Sequence, residues 1–153
     1  MPLEIIRNDI TKLKVDVIVN ASNTMLKKGG GVSGAIFAAA GEKELQKACD
    51  AIGYCGIGEA VITEGFGLSA KYIVHTAGPV WDGGDKNEEA LLNRCYENSL
   101  KLAASNKCDS IAFPLISSGT YGFPKDKAFN TAVSAISSFL MDHDMMVYLV
   151  VYD

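Results

Sequence analysis

The stretch that most constrains this chain is residues 15–41, VDVIVNASNTMLKKGGGVSGAIFAAAG. Val17, Ile18 and Val19 form a β-branched run with the length of a buried strand that ends at Asn20, and residues 33–40 read as an alanine-rich helix. Between them, Gly29, Gly30 and Gly31 carry bare main chain to the start of that helix. Unpaired amides and the positive end of a helix dipole meet there, which makes a ready anion site. The spacing Gly29-x-Gly31-x-x-Gly34 matches the dinucleotide fingerprint, but eight residues, 21–28, intervene where that fingerprint has a tight turn. No acid ends a following strand at the usual interval, because Asp50 falls in a helical stretch, so a nicotinamide-dependent oxidoreductase fits poorly. Asn20 and Asn23 sit at the mouth of the loop. Their carboxamides can bond sugar hydroxyls without adding negative charge beside a phosphate, and they can equally be turn residues; composition leaves both open.

A chain of 153 residues with 48% hydrophobic content suits one domain with a sizeable core. Its formal charge of −4 argues against general nucleic-acid binding, which needs a broad basic face. A small anionic ligand remains compatible, since backbone amides can hold it and Lys27 and Lys28 stand beside the glycines. No apolar run reaches the length of a membrane span and Met-Pro-Leu-Glu does not open a signal peptide, so no membrane partner and a cytoplasmic location are expected. Cys49, Cys55, Cys95 and Cys108 are too scattered for a zinc ribbon; they read as reduced structural thiols, with no metal and no cofactor expected.

In chain order, Leu3–Arg7 reads as a first strand followed by a turn at Asn8-Asp9-Ile10-Thr11, in which Asp9 is a natural turn cap. A second helix over residues 42–52 follows, then strands at 60–63 and 72–76. His75 lies within the latter and reads as a satisfied core residue. A long helix over 87–105 places Leu91, Leu92, Cys95, Tyr96, Leu102 and Ala103 toward the sheet. After a strand at 110–115, the loop ISSGTYGFP offers Ser117, Ser118, Gly119, Thr120, Tyr121 and Gly122 as a second phosphate-sized cradle, and Pro124 opens a helix with Ala128, Ala132, Ala135, Ile136 and Phe139 inward. The last run, residues 145–151, is apolar on both faces and reads as a central strand. Strands alternating with amphipathic helices predict an α/β fold, a three-layer sandwich with a mixed, mostly parallel sheet.

VNASN followed by GGGVSGAI, with NDIT before them and HTAGP and ISSGTYGFP after, closely resembles the macrodomain family of ADP-ribose-binding modules. The resemblance spans nearly the whole chain and implies a single macro domain over 1–153, although the family's usual helix after the last strand is missing from the sequence. It implies that Asp9 accepts from the adenine amine while the Ile10 amide contacts the ring or phosphate region. It further implies that Asn20, Asn23, Gly29, Gly30, Gly31, Val32 and Ser33 and the second loop hold the diphosphate and distal ribose, with Tyr121 bordering that ribose and Tyr152 stacking on adenine. Asn23 is the one catalytic candidate, positioning the ribose and a water. Many hydrolytic members have Asp where this chain has Ser33 and His where it has Phe37, and serine is no substitute base; by itself Ser33 reads as a helix cap. The expected partner is ADP-ribose or an ADP-ribosylated protein. The expected activity is removal of mono-ADP-ribosyl or O-acetyl groups, with a non-catalytic reader as the alternative.

Overall fold

The computed structural model describes residues 2–151. Strands β1 (Leu3–Arg7), β2 (Val17–Ser22), β3 (Ala60–Glu64), β4 (Tyr72–Ala77), β5 (Ser110–Pro114) and β6 (Met146–Val151) form one sheet in the order β1-β6-β5-β2-β4-β3. Every pairing is parallel except that of β3 with β4, so the sheet is mixed and mostly parallel as expected. Helices α1 (Gly31–Ala40) and α2 (Glu42–Ile52) cover one face, and α3 (Glu88–Ser105) and α4 (Lys125–Leu140) cover the other.

Side-chain alternation shows why both faces need helices. Val17 and Val19 of β2, Ile111 and Phe113 of β5, and Val147 and Leu149 of β6 enter the core beneath α3 and α4. Their alternates Ile18, Ala112 and Val150 enter the core beneath α1 and α2. A strand buried on both faces reads as a continuous apolar run, which is what made β2 and β6 visible in the sequence. Strand β6 is interior, flanked by β1 and β5.

Several boundaries and one helix face differ from expectation; β3, β4, α3 and β6 are each shifted by one residue at one end, and the larger or more telling differences are these. Strand β2 runs on to Ser22 because Asn20, Ala21 and Ser22 pair with His75, Thr76 and Ala77 of β4. Helix α1 begins at Gly31, since the Gly34 amide already donates to the Gly30 carbonyl. The 110–115 strand ends at Pro114. On α3 the fully buried stripe is Glu88, Leu92, Cys95, Tyr96, Ser99, Leu100 and Ala103, with Leu91 and Leu102 on its flanks. Steps of three and four residues from Leu92 lead to Leu100 and Ala103, and Leu91 is turned toward Gly58 instead. The inward face of α4 is as expected.

His75 is fully buried on the α1/α2 side of β4. The Asn20 amide nitrogen donates to its Nδ1 at 3.1 Å, which leaves the ring proton on Nε2, aimed at Thr63 Oγ1 at 3.0 Å. Burial drives its pKa from 6.5 down to about 4. A depressed histidine contributes stability above its unfolded pKa and loses it as the pH falls toward the folded value. Urea titrations should therefore show little change in stability from pH 8 to pH 7 and a decline of about 3 kcal/mol from pH 6.5 to pH 4. Asp9, held down by Thr11, and Asp50, held down by Lys27, lose their contributions only at lower pH. A midpoint that does not move across that window would contradict a neutral imidazole as the partner of Asn20 and Thr63 at this position.

Candidate functional site

Strands β2 and β5 run side by side in the same direction, so the chain leaves both at one edge of the sheet. A cleft of about 520 Å³ opens there between the loop ahead of α1 and the loop ahead of α4. Asn23, Gly29, Gly30, Gly31, Val32 and Ser33 line one wall, and Ser117, Ser118, Gly119, Thr120 and Tyr121 line the other. Ala21, Ser22, Gly78, Pro114, Leu115, Ile116, Lys125, Val150 and Val151 complete it.

The first wall is the start of a helix with no acid in its first turn. The amides of Gly31, Val32 and Ser33 precede the first intrahelical bond and have no helical acceptor. Ser33 is not the cap: Gly30 holds that position, and the Ser33 hydroxyl accepts from the Gly29 amide at 3.3 Å, folding the glycine loop onto the first turn. Gly34 packs closely on the loop, since a Cβ there would stand 3.0 Å from the Gly29 carbonyl oxygen. The Asn23 carboxamide clasps Lys27, donating to its carbonyl at 2.9 Å and accepting from its amide at 3.0 Å. One amide hydrogen and one carbonyl lone pair remain for a ligand.

The second wall is a strained turn. Ser117 has φ +67°, uncommon for a residue with a side chain, and its hydroxyl is buried without a partner among the described residues. Gly78 faces it so closely that a Cβ would stand 2.3 Å from Ser117 Oγ. In the sequence the GP dipeptide marks a strand end and gives no sign of this contact. The Gly122 amide closes the turn onto the Gly119 carbonyl at 2.9 Å, with Gly122 at φ +73°. The amides of Gly119, Thr120 and Tyr121 have no backbone acceptor among the described residues.

Several candidates lie elsewhere. Asn20 is fully buried between β2 and His75 and does not line the cleft, because the strand carries two residues past it. Asp9 caps a 3-10 turn (Ile10–Lys12), accepting from the Thr11 amide and hydroxyl, and Ile10 packs into the core; neither lines the cleft. Gly122 shapes the second loop without lining the cleft. Tyr152 lies outside the described residues. Lys27 and Lys28 face α2, paired with Asp50 at 2.7 Å and Glu42 at 2.6 Å, so their charge is spent on the helix rather than on the glycines. Phe37 is a core residue. Lys125, unremarked in the sequence, is the one charged side chain on the described cleft wall; no carboxylate, imidazole or thiol lines it. No cluster suited to a metal ion occurs among the described residues.

Comparison with known proteins follows the same lines. The profile of the Macro domain family matches residues 19–132. An O-acetyl-ADP-ribose deacetylase of Escherichia coli K12 is 50% identical over 157 aligned positions, covering 99% of this chain and 88% of the relative. The Oceanobacillus iheyensis macrodomain solved with ADP superposes with a TM-score of 0.92 at 44% identity, over 98% of this chain and 82% of that one. A Trypanosoma brucei macrodomain in complex with ADP-ribose gives 0.88 at 37% identity, over 97% of this chain and 63% of that one. Other Oceanobacillus structures carry substitutions of an asparagine, of a glycine seven residues on and of an aspartate three beyond that; Asn23, Gly30 and Ser33 repeat the spacing here with serine last. With half of its residues shared with such a relative along nearly its whole length, this chain belongs to the macro domain family.

Proposed function

We propose that this chain, acting as a single macro domain over residues 1–153, binds ADP-ribose in the cleft and slowly hydrolyses its O-acetyl and mono-ADP-ribosyl esters. The observation that carries the binding half is the cleft's chemistry: amides without backbone acceptors on two facing loops and, among the described residues, one lysine and no acid. Such a wall favours a diphosphate through fixed dipoles and loses nothing to like-charge repulsion. Relatives named as deacetylases and neighbours solved with ADP or ADP-ribose support the same ligand. Charge-assisted hydrogen bonds of roughly 1.5–3 kcal/mol each, set against an association cost of several kcal/mol, leave room for about −8 kcal/mol, or micromolar affinity. Adenine would stack on Tyr152, as the family resemblance implies. Four free thiols suit the cytoplasmic location we assign.

The hydrolytic half proceeds without a side-chain base. Asn23 would hold the distal ribose and a water through its remaining amide hydrogen and lone pair, and the ligand's own phosphate oxygens would take part in orienting that water. A second reading, a reader of ADP-ribosylated proteins without turnover, is favoured by one observation: among the described residues no carboxylate or imidazole lines the cleft.

Release of acetate from O-acetyl-ADP-ribose separates the two readings, since a rate equal to the buffer blank leaves only the reader. Ser33→Asp places a carboxylate in the first turn of α1, where the helix dipole stabilises its ionised form. Turnover should rise by about 10²–10⁴, and no rise would remove base supply as the missing element. Ser117→Ala should leave the melting temperature unchanged or higher, because the hydroxyl has no partner among the described residues. Calorimetry should show ADP-ribose binding weakened by roughly 1–3 kcal/mol; unchanged affinity would take that hydroxyl out of the site.

A further inference from the structure

None of residues 81–86 lines the cleft, yet the segment is built with unusual care. Glu88, in the first turn of α3, is only 2% exposed. Its Oε2 accepts from the amides of Asp82 at 2.8 Å and Gly84 at 3.0 Å, and its Oε1 accepts from the amide of Lys86 at 2.7 Å. Three donors of the preceding loop are thus gathered on one carboxylate. The loop so folded turns Trp81 back over Gly84, which has φ +90°; a Cβ on Gly84 would stand 2.7 Å from the indole ring.

Trp81 then meets the second wall of the cleft from behind. Its amide donates to the Tyr121 carbonyl at 2.8 Å, and its ring lies 4.8 Å from that of Phe123, tilted by 57°. Phe123 is buried and its amide donates to the Ser117 carbonyl at 2.9 Å. A continuous set of contacts therefore leads from Glu88 to both ends of the strained turn. A carboxylate needed only to cap α3 would have no reason to reach three amides ahead of the helix.

We propose that Glu88 is a positioning residue for ligand binding: it latches the 82–86 loop, seats Trp81 against Tyr121 and Phe123, and so fixes the cleft wall that closes on the diphosphate. The proposal rests on the ADP-ribose reading above. Because the wall is set in advance, the ligand does not have to order it on binding, and loosening the latch transfers that ordering cost to the binding step.

The chain contains a single tryptophan, so intrinsic emission reports on the latch directly. Wild type, Glu88→Gln, Glu88→Ala and Gly84→Ala are compared by emission spectrum, melting temperature and calorimetric titration with ADP-ribose. Glu88→Gln sets an amide N–H₂ against loop amides, and Gly84→Ala displaces the indole while keeping the carboxylate, so the latter serves where Glu88→Ala does not fold. Each folded variant should show red-shifted Trp81 emission and ADP-ribose affinity lowered about tenfold. A purely structural role would lower the melting temperature and leave affinity below the transition within about twofold of wild type, which would overturn the proposal. Emission unchanged in both Glu88 variants would overturn it as well. Absence of binding by the wild type would remove the ADP-ribose reading and this inference together, whereas wild-type binding matched by the variants removes the latch alone.

Discussion

The parallel pairing of β2 with β5 is the constraint on which the rest depends. Two strands pointing the same way, hydrogen-bonded from Val17 against Ile111, must release their chains at the same edge of the sheet. Each chain then has to turn back into a helix on the opposite face, α1 on one side and α4 on the other. The crevice between the two returns is a product of topology before any side chain is considered. Its walls are main chain because tight, strained turns tolerate little else, and main chain at the start of a helix is electropositive. Net acidity of the molecule is no obstacle: the acids nearest the glycine loop, Asp50 and Glu42, are matched by Lys27 and Lys28 outside the cleft.

This division of labour separates holding a ligand from cutting it. Amide dipoles are fixed by the backbone and survive many side-chain changes, whereas proton transfer needs one specific group within bonding reach. Ser33 occupies the place in the first turn where such a group would stand, and its hydroxyl is turned to the Gly29 amide. Among the described residues the chain thus keeps the cradle while its side chains there contribute polarity and no carboxylate or imidazole.

Most of the fold was legible because the sheet is buried on both faces. Apolar runs such as residues 17–19 and 145–151 announce interior strands, and the alanine-rich side of α4 follows helical spacing without interruption. The glycine loops were legible for a related reason, since clusters of glycine and small hydroxyl residues have few other uses in so compact a chain. Asn20 was misplaced because a polar residue in an apolar strand looks like the strand's end; only its partner across the sheet, His75, shows that the strand continues. Gly78 escaped notice because its role is set by Ser117, distant in sequence and packed directly against it. Glu88 escaped for the opposite reason: an acid in the first turn of a helix is so common that nothing in the sequence marks it as buried.

The position of β6 carries a consequence for how the molecule comes into being. This strand is the sole bridge between β1, the first strand of the chain, and β5, and its Val150 and Val151 also form part of the cleft. Until it pairs, β1 has no neighbour and β5 lacks one flank, so the sheet and its pocket are completed together by contacts between residues far apart in sequence. Such long-range closure is slow compared with helix formation. Without β6, β5 would present an unpaired apolar flank and β1 would have no partner in the sheet.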